Sequence, residues 1–428
     1  MLLHKRPLMA SAIGALMVPL LAMPVKADHL DVDISVIFDA VYFNELSHGN
    51  DAPAGFSGGH DHGHSHDHGH GHGHDHGFDD GFNLGHSELA VEATLGSALV
   101  GSLMLGITED EIEVEELYVQ TLSLPSGLQL KAGKFLSDVG YINSQHSHDW
   151  DFVERPLVNE FLFGDHGIQE TGVQATWLAP SETYTLFGVE LLQGKTSGIA
   201  NHIGAQSPEH GQARILEDVS GPRLITGFVK FAPDLGADNA AQIGASVGYS
   251  RSYQVTDGHS TRNEDWNGTA TFAGLDGVFK HDAGGSYGHG DWRLQAEYFY
   301  RVQDVDRRDV NFAEDSRGPV GHVRNVQSFK NEQDGLYVQG VYGIAPRWEA
   351  GLRGEALGLT NDLGRGDGAS EDTSYRYSAQ LTFRPIEPVF IRAQLSQEDF
   401  ASDHGREKGV NFMLQLNVAL GAHGAHRF

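Results

Sequence analysis

No cysteine occurs in the 428 residues. That excludes disulfides, a thiolate nucleophile and any thiolate-bound metal. Basic residues are scarce: 29 Lys and Arg stand against 58 Asp and Glu, for a formal net charge of −29. Phosphate backbones bind through surplus positive charge, so nucleic acid is not an expected partner. Long apolar runs are missing too. After residue 27 none approaches the ~20 residues of a spanning helix, so any later membrane passage has to be made by strands closed into a barrel.

The first residues read differently. His4, Lys5 and Arg6 precede an apolar run from Leu8 to Ala22, and Val25-Lys26-Ala27 places small residues at −3 and −1 of a cleavage site. Residues 1–27 are expected to be a cleaved secretory signal, and residues 28–428 a single exported domain.

Beyond the signal the chain alternates with a period of two. Val410, Phe412, Leu414, Leu416, Val418 and Leu420 share one face, and Asn411, Met413, Gln415 and Asn417 the other. Trp348, Ala350, Leu352 and Ala356 alternate with Glu349, Gly351, Arg353 and Glu355. Such segments are strands with one apolar and one polar face. The polar face carries Arg, Glu and Gln even where the other is purely apolar, which suits a wet lumen and a lipid exterior. Sixteen such segments predict an all-β fold: a transmembrane antiparallel β-barrel of about 16 strands in the outer membrane of a Gram-negative cell. Short connections, several marked by proline (Pro125, Pro180, Pro233, Pro346 and Pro388), are expected to face the periplasm. Long polar ones, including 44–86, 138–166, 255–266 and 399–408, are expected outside.

Residues 60–76 read HDHGHSHDHGHGHGHDH. Imidazole and carboxylate suit zinc, nickel, copper and cobalt, and glycine spacing lets several rings gather around one ion. The candidate metal ligands in this first long loop are His48, His60, Asp61, His62, His64, His66, Asp67, His68, His70, His72, His74, Asp75, His76 and His86. The implied bound or transported ion is Zn²⁺ or another divalent transition metal, with no organic cofactor. The third surface loop, 138–166, adds His146, His148, Asp149, Asp151 and His166. In general porins this loop folds into the barrel and narrows the pore, where charged side chains set selectivity.

Across the lumen, Arg293, Arg301, Arg353, Arg376, Arg384 and Arg392 lie on polar faces, with Glu297 and Glu355 among them. Two readings stand side by side. The arginines set up a transverse field against the acidic loop, or they pair with Glu297, Glu349 or Glu355 and stiffen the wall. No nucleophile–base arrangement stands out, so catalysis is not expected.

The stretch GLQLKAGKFLSDVGYINSQHSHDWDFVERPLVNEFLFGDHGIQETGVQATWLAP at 127–180 and the terminal LGAHGAHRF, with the signal and the His-rich loop, resemble a proteobacterial family of porin-like proteins. Its members are commonly labelled zinc-regulated, TonB-dependent outer membrane receptors. The resemblance implies an outer-membrane location, a link to zinc supply and TonB as a partner. Strand alternation already begins at Val32, which leaves no room for a plug ahead of the barrel. Passive passage through a porin-like channel is therefore expected, with a TonB-linked receptor and a non-conducting surface metal binder as alternatives. Sixteen-stranded porins are often trimers, so a homotrimer is expected by analogy.

Overall fold

The computed structural model describes residues 29–50, 52–56, 78–207, 214–259, 262–311, 326–364, 371–402 and 405–421. The expected signal segment 1–27 and the tract from His60 to His76 lie outside the described residues.

The described chain forms a closed antiparallel sheet of sixteen strands. They are β1 (Leu30–Ser47), β2 (Gly81–Leu84 and Ser87–Leu95, interrupted at Gly85 and His86), β3 (Leu99–Ile107), β4 (Ile112–Thr121), β5 (Leu128–Leu136), β6 (Gln169–Leu178), β7 (Tyr184–Leu192), β8 (Leu224–Ala232), β9 (Asn239–His259), β10 (Arg262–His281), β11 (Trp292–Asn311), β12 (Gln327–Ala345), β13 (Trp348–Asp362), β14 (Ser374–Ile386), β15 (Val389–Ser402) and β16 (Gly405–Gly421). Each pairs with its sequence neighbour, and β1 closes the ring on β16 from Ser35 opposite Gly421 to Ser47 opposite Val410. Closure leaves no strand edge unpaired, the condition for crossing a bilayer with strands. No described helix is long and apolar enough to cross a membrane.

The two faces are inverted relative to a water-soluble protein. Leu352 is 70% exposed while Arg353, one residue on, is 3% exposed. In β16, Leu414, Leu416 and Leu420 point outward while Asn411, Gln415 and Asn417 are buried. An apolar exterior around a polar interior is stable only in lipid.

The strands after β8 are longer than alternation suggested. β9 to β12 run 21, 20, 20 and 19 residues, about twice the 9–11 needed to cross a bilayer. The segments 255–266 and 399–408, expected as loops, are therefore largely strand. Their ladders continue to His259 opposite Arg262 and to Ser402 opposite Gly405. Backbone pairing needs no apolar exterior once a hairpin stands clear of the membrane, so the apolar signal ends before the strand does.

The core sits inside the barrel. The segment between β5 and β6 turns inward and carries a short helix, α1 (Leu157–Phe163). Pro156 precedes it and Gly164, at φ 110°, ends it. Five of the seven side chains of α1 are apolar and buried, and Asn159 is buried with them, as a helix enclosed on most sides requires. Phe163 packs edge-on against Phe272 and Phe299, with ring centroids 5.1 and 5.0 Å away, in a cluster with Phe135, Tyr337 and Leu357. A second short helix, α2 (Ser197–Ala200), lies between β7 and β8 and adds Ile199.

Candidate metal centre

The loop between β5 and β6 is held from several sides. At its neck, buried Asn143 donates to the carbonyls of Ser137 and Ile168 and accepts from the Ile168 amide. The next turn is bound by Glu297, whose carboxylate accepts from the amides of Tyr141 and Ile142, the latter at 2.6 Å. Gly140, at φ +68°, runs so close that a Cβ there would meet Glu297 Oε2 at 2.5 Å. Further along, Glu355 accepts from the Leu157 amide at 2.6 Å.

The arginines expected along the pore grip this loop. Arg353 Nη1 donates to the Glu154 carbonyl at 2.9 Å and Arg392 Nη2 to the Trp150 carbonyl at 2.8 Å. Arg301 reaches the carbonyls of Leu162 and Gly198 at 3.0 and 2.8 Å. Arg376 bonds the Arg155 carbonyl and pairs with Glu355 at 2.8 Å. Arg293 lies between Asp151 and Glu349, and Arg384 is 3.7 Å from Glu349. Of the two sequence readings, pairing and stiffening describes these contacts, and the loop is the main partner. Glu297 differs from that reading: it accepts from loop amides and from the Tyr337 hydroxyl at 2.8 Å.

On the opposite wall the same loop meets a different set. The 3₁₀ turn Ser147–Asp149 carries His146 and His148, whose rings stack at 5.9 Å and 7°, over Glu88 of β2 and Glu115 and Glu116 of β4. His146 Nε2 lies 3.2 Å from Glu116 Oε2, and its Nδ1 3.4 Å from Glu115 Oε2 and 3.9 Å from Glu88 Oε1. His148 Nδ1 is 3.1 Å from Glu88 Oε1. His86, in the interruption of β2, contacts Glu115 through Nε2. Donor atoms of His86, Glu88 and Glu115 all fall within 4.8 Å of one another.

His86, Glu88 and Glu115 have the donor types and spacing that could hold a metal ion, and His146 and His148 stand beside them. Three imidazoles and three carboxylates are the donors zinc and its neighbours take in the absence of cysteine. Ligands bonded at about 2.0–2.1 Å around a tetrahedral ion lie roughly 3.3 Å apart, the scale seen here. The charges point the same way. Three buried carboxylates need cationic partners, and among the described residues the ion-pair partners of Glu88 and Glu115 are imidazoles. Glu88 is 0% exposed and its Oε2 has no hydrogen-bond partner. Burial disfavours a charged His146, but hydrogen bonds to Glu115 and Glu116 outweigh it and hold the imidazolium well above its ordinary pKa. A proton supplies there the positive charge that a metal ion would bring.

Two cavities flank the centre. The outer one, about 450 Å³, is lined by Phe78, His86, Glu115, His146 and His166. The inner one, about 370 Å³, is lined by His148, Asp149, Asp151, Lys280 and Arg293, the last two beside the short connection between β10 and β11. Gln145 and Trp150 line both and form the partition. The sequence candidates thus separate. His86, His146 and His148 come together; Asp149 Oδ1 is 3.7 Å from His148 Nε2; His166 stands in the outer cavity. Asp151 has crossed to the far wall, where Arg293 Nε and Gln339 Nε2 donate to it at 2.7 and 3.0 Å. Arg293 outweighs burial there and holds its carboxyl below the ordinary range. His48 is exposed, with Nδ1 3.0 Å from Glu45 Oε1.

Glu88, Glu115 and Glu116 were missed by sequence reasoning. A signal for two of them exists. Ile112 and Val114 face out, then Leu117 and Val119, so the outward phase slips by one. Between Met104 and Leu105 of β3 the pairing skips Glu115, a β-bulge that turns both Glu115 and Glu116 inward.

No family model matches the chain. A protein of Aquifex aeolicus described as an uncharacterized protein is 33% identical over 352 residues, which is 81% of this chain and 70% of that one. Among solved structures, the in-vitro folded, trimer form of OmpT, an outer membrane protein of Vibrio cholerae, superposes with a TM-score of 0.52 at 11% identity, covering 92% of this chain and 100% of the other. The loop L8 deletion mutant of the same protein gives 0.51 over the same shares. The chain therefore belongs to the family of the Aquifex aeolicus protein, and with its apolar belt and closed ring of strands it is an outer-membrane, porin-like β-barrel.

Proposed function

We propose that this barrel passes a divalent transition metal, zinc first, from the cell exterior to the periplasm. The His-rich tract at 60–76 captures the ion and the His–Glu centre selects it. The observation that carries this reading is the position of the centre: His86, Glu115 and His146 line the outer cavity, His148 lines the inner one, and buried Glu88 contacts both His146 and His148. Apolar packing around α1 occupies much of the remaining lumen, which favours a narrow path for small ions over a wide one for solutes. The capture tract is joined by a few residues to β2, whose interruption carries His86. No catalysis is invoked.

Zinc flux into liposomes and single-channel conductance test it, on the full mature chain and on a variant lacking residues 60–76. Both proteins should pass zinc at high concentration. Only the full chain should do so efficiently when zinc is scarce. A barrel that inserts, binds zinc and passes none would favour a second reading, a surface metal binder with a closed lumen, which the apolar filling also suits. TonB coupling, implied by the family resemblance, predicts that uptake in cells stops when the proton-motive force is dissipated. Passive passage predicts that it continues. A homotrimer is proposed from the trimer form of the Vibrio cholerae neighbour, and chemical cross-linking in membranes tests it.

A further inference from the structure

The two cavities reach the centre through different imidazoles. His86, Glu115 and His146 line the outer cavity, and His148 lines the inner one. Glu88 lines neither and is wholly buried, in contact with an imidazole from each lining. Its Oε1 lies 3.1 Å from His148 Nδ1 and 3.9 Å from His146 Nδ1. The same residue shares a 4.8 Å donor cluster with His86 and Glu115. Its second oxygen, Oε2, is buried without a hydrogen-bond partner.

A carboxylate has two donor oxygens, so it can stay on an ion while other ligands are exchanged. Zinc has no geometric preference from its d electrons and expands readily from four to five ligands, so one ligand can arrive before another leaves. An ion crossing a narrow partition also needs successive sites, each weak enough to release it. Resting on the reading that this cluster takes zinc, we propose that Glu88 is the shared ligand of two ion positions and hands the ion from one to the other. The outer position is completed by His86, Glu115 and His146, and the inner by His148. The ion crosses the partition by exchanging His86 for His148 while it stays bonded to Glu88. The partition at Gln145 and Trp150 then needs no water-filled gap, because the ion is never without protein ligands.

The test uses the chain lacking residues 60–76, so that the tract does not mask the centre. Three readouts are taken on each protein: equilibrium zinc binding, the visible absorption of bound Co²⁺, and zinc flux into liposomes. Glu88→Gln should keep an ion at the outer position, with a His-ligand Co²⁺ spectrum, and lose about tenfold or more of the flux. His148→Ala should give the same split, and Glu88→Asp should restore part of the flux. Co-flotation with liposomes and far-UV circular dichroism check insertion and fold. If Glu88→Gln does not insert, His148→Ala carries the test, since it alters only a loop residue. Flux in Glu88→Gln equal to that of the parent overturns the hand-over and leaves metal binding standing. Loss of all binding in Glu88→Gln also overturns it, because the outer position is then not separate. A parent that binds no zinc overturns both this proposal and the reading on which it rests.

Discussion

The two walls that face the inturned loop do opposite things with charge. On the far wall, from β11 to β15, arginines meet carboxylates and loop carbonyls in pairs that close on themselves: Arg293 with Asp151 and Glu349, Arg376 with Glu355, Arg353 and Arg392 with backbone oxygens. On the near wall, at β2 and β4, acids outweigh fixed cations and the loop offers imidazoles, whose charge is conditional. One side holds the loop permanently. The other holds it in proportion to what occupies it, a proton or a metal ion.

Arg376→Ala should break the contrast from the far side and have the largest effect. It removes a buried arginine from Glu355, which keeps only Arg353 at 2.8 Å of the two that pair with it among the described residues, and from the neighbouring Glu154, at a cost of about 3–5 kcal/mol, read as a lower denaturation midpoint in detergent. On the near wall, His146→Ala removes a proposed metal ligand and should weaken zinc binding by about a hundredfold while leaving the denaturation midpoint of the metal-free protein closer to that of the parent. Titration of both variants with zinc separates the walls: zinc should stabilise the Arg376 variant and barely change the His146 variant.

Acid gives a smaller and opposite test. The Asp151 carboxyl is held below its ordinary range by Arg293. Its tie to the far wall is therefore fully present above about pH 3.9 and is lost as pH falls through the lowered folded value. Trp150 fluorescence, in a protein whose other four tryptophans are phenylalanine, should stay constant from pH 8 to 5 and change only in stronger acid. A change near pH 6 would mean that the imidazole side, not the arginine side, governs the loop. The smallest effect belongs to His48→Ala. That side chain is exposed, pairs with Glu45 at 3.0 Å and lines neither cavity at the centre, so zinc affinity at the centre should move by less than about twofold.

The barrel was legible because lipid contact imposes an apolar residue at every second position, and alternation such as Leu414, Leu416 and Leu420 survives in the linear chain. Part of the lumen's content left a trace that alternation alone did not interpret. Phe299 stands on the otherwise polar face of β11, and an aromatic there is what a docked apolar helix needs. His146 and His148 were visible as a pair with carboxylates close behind. Their true partners were not, because Glu88 and Glu115 lie far upstream on strands of the wall, and Asp149 and Asp151 competed for the same reading. The bulge at Glu115 hid the rest, since a strict period of two places adjacent residues on opposite faces.

By itself the sequence determined the class of fold, the inside and outside of strands whose alternation is unbroken, and the kind of donors available to an ion. Those come from local pattern and from the chemistry of single side chains. Only the tertiary structure decided which donors meet, which arginines tie the loop instead of facing the pore, and where one cavity hands over to the next. Such choices rest on register, on a single extra residue in β4 and on the path of one loop through the lumen, and each brings together residues far apart in the chain.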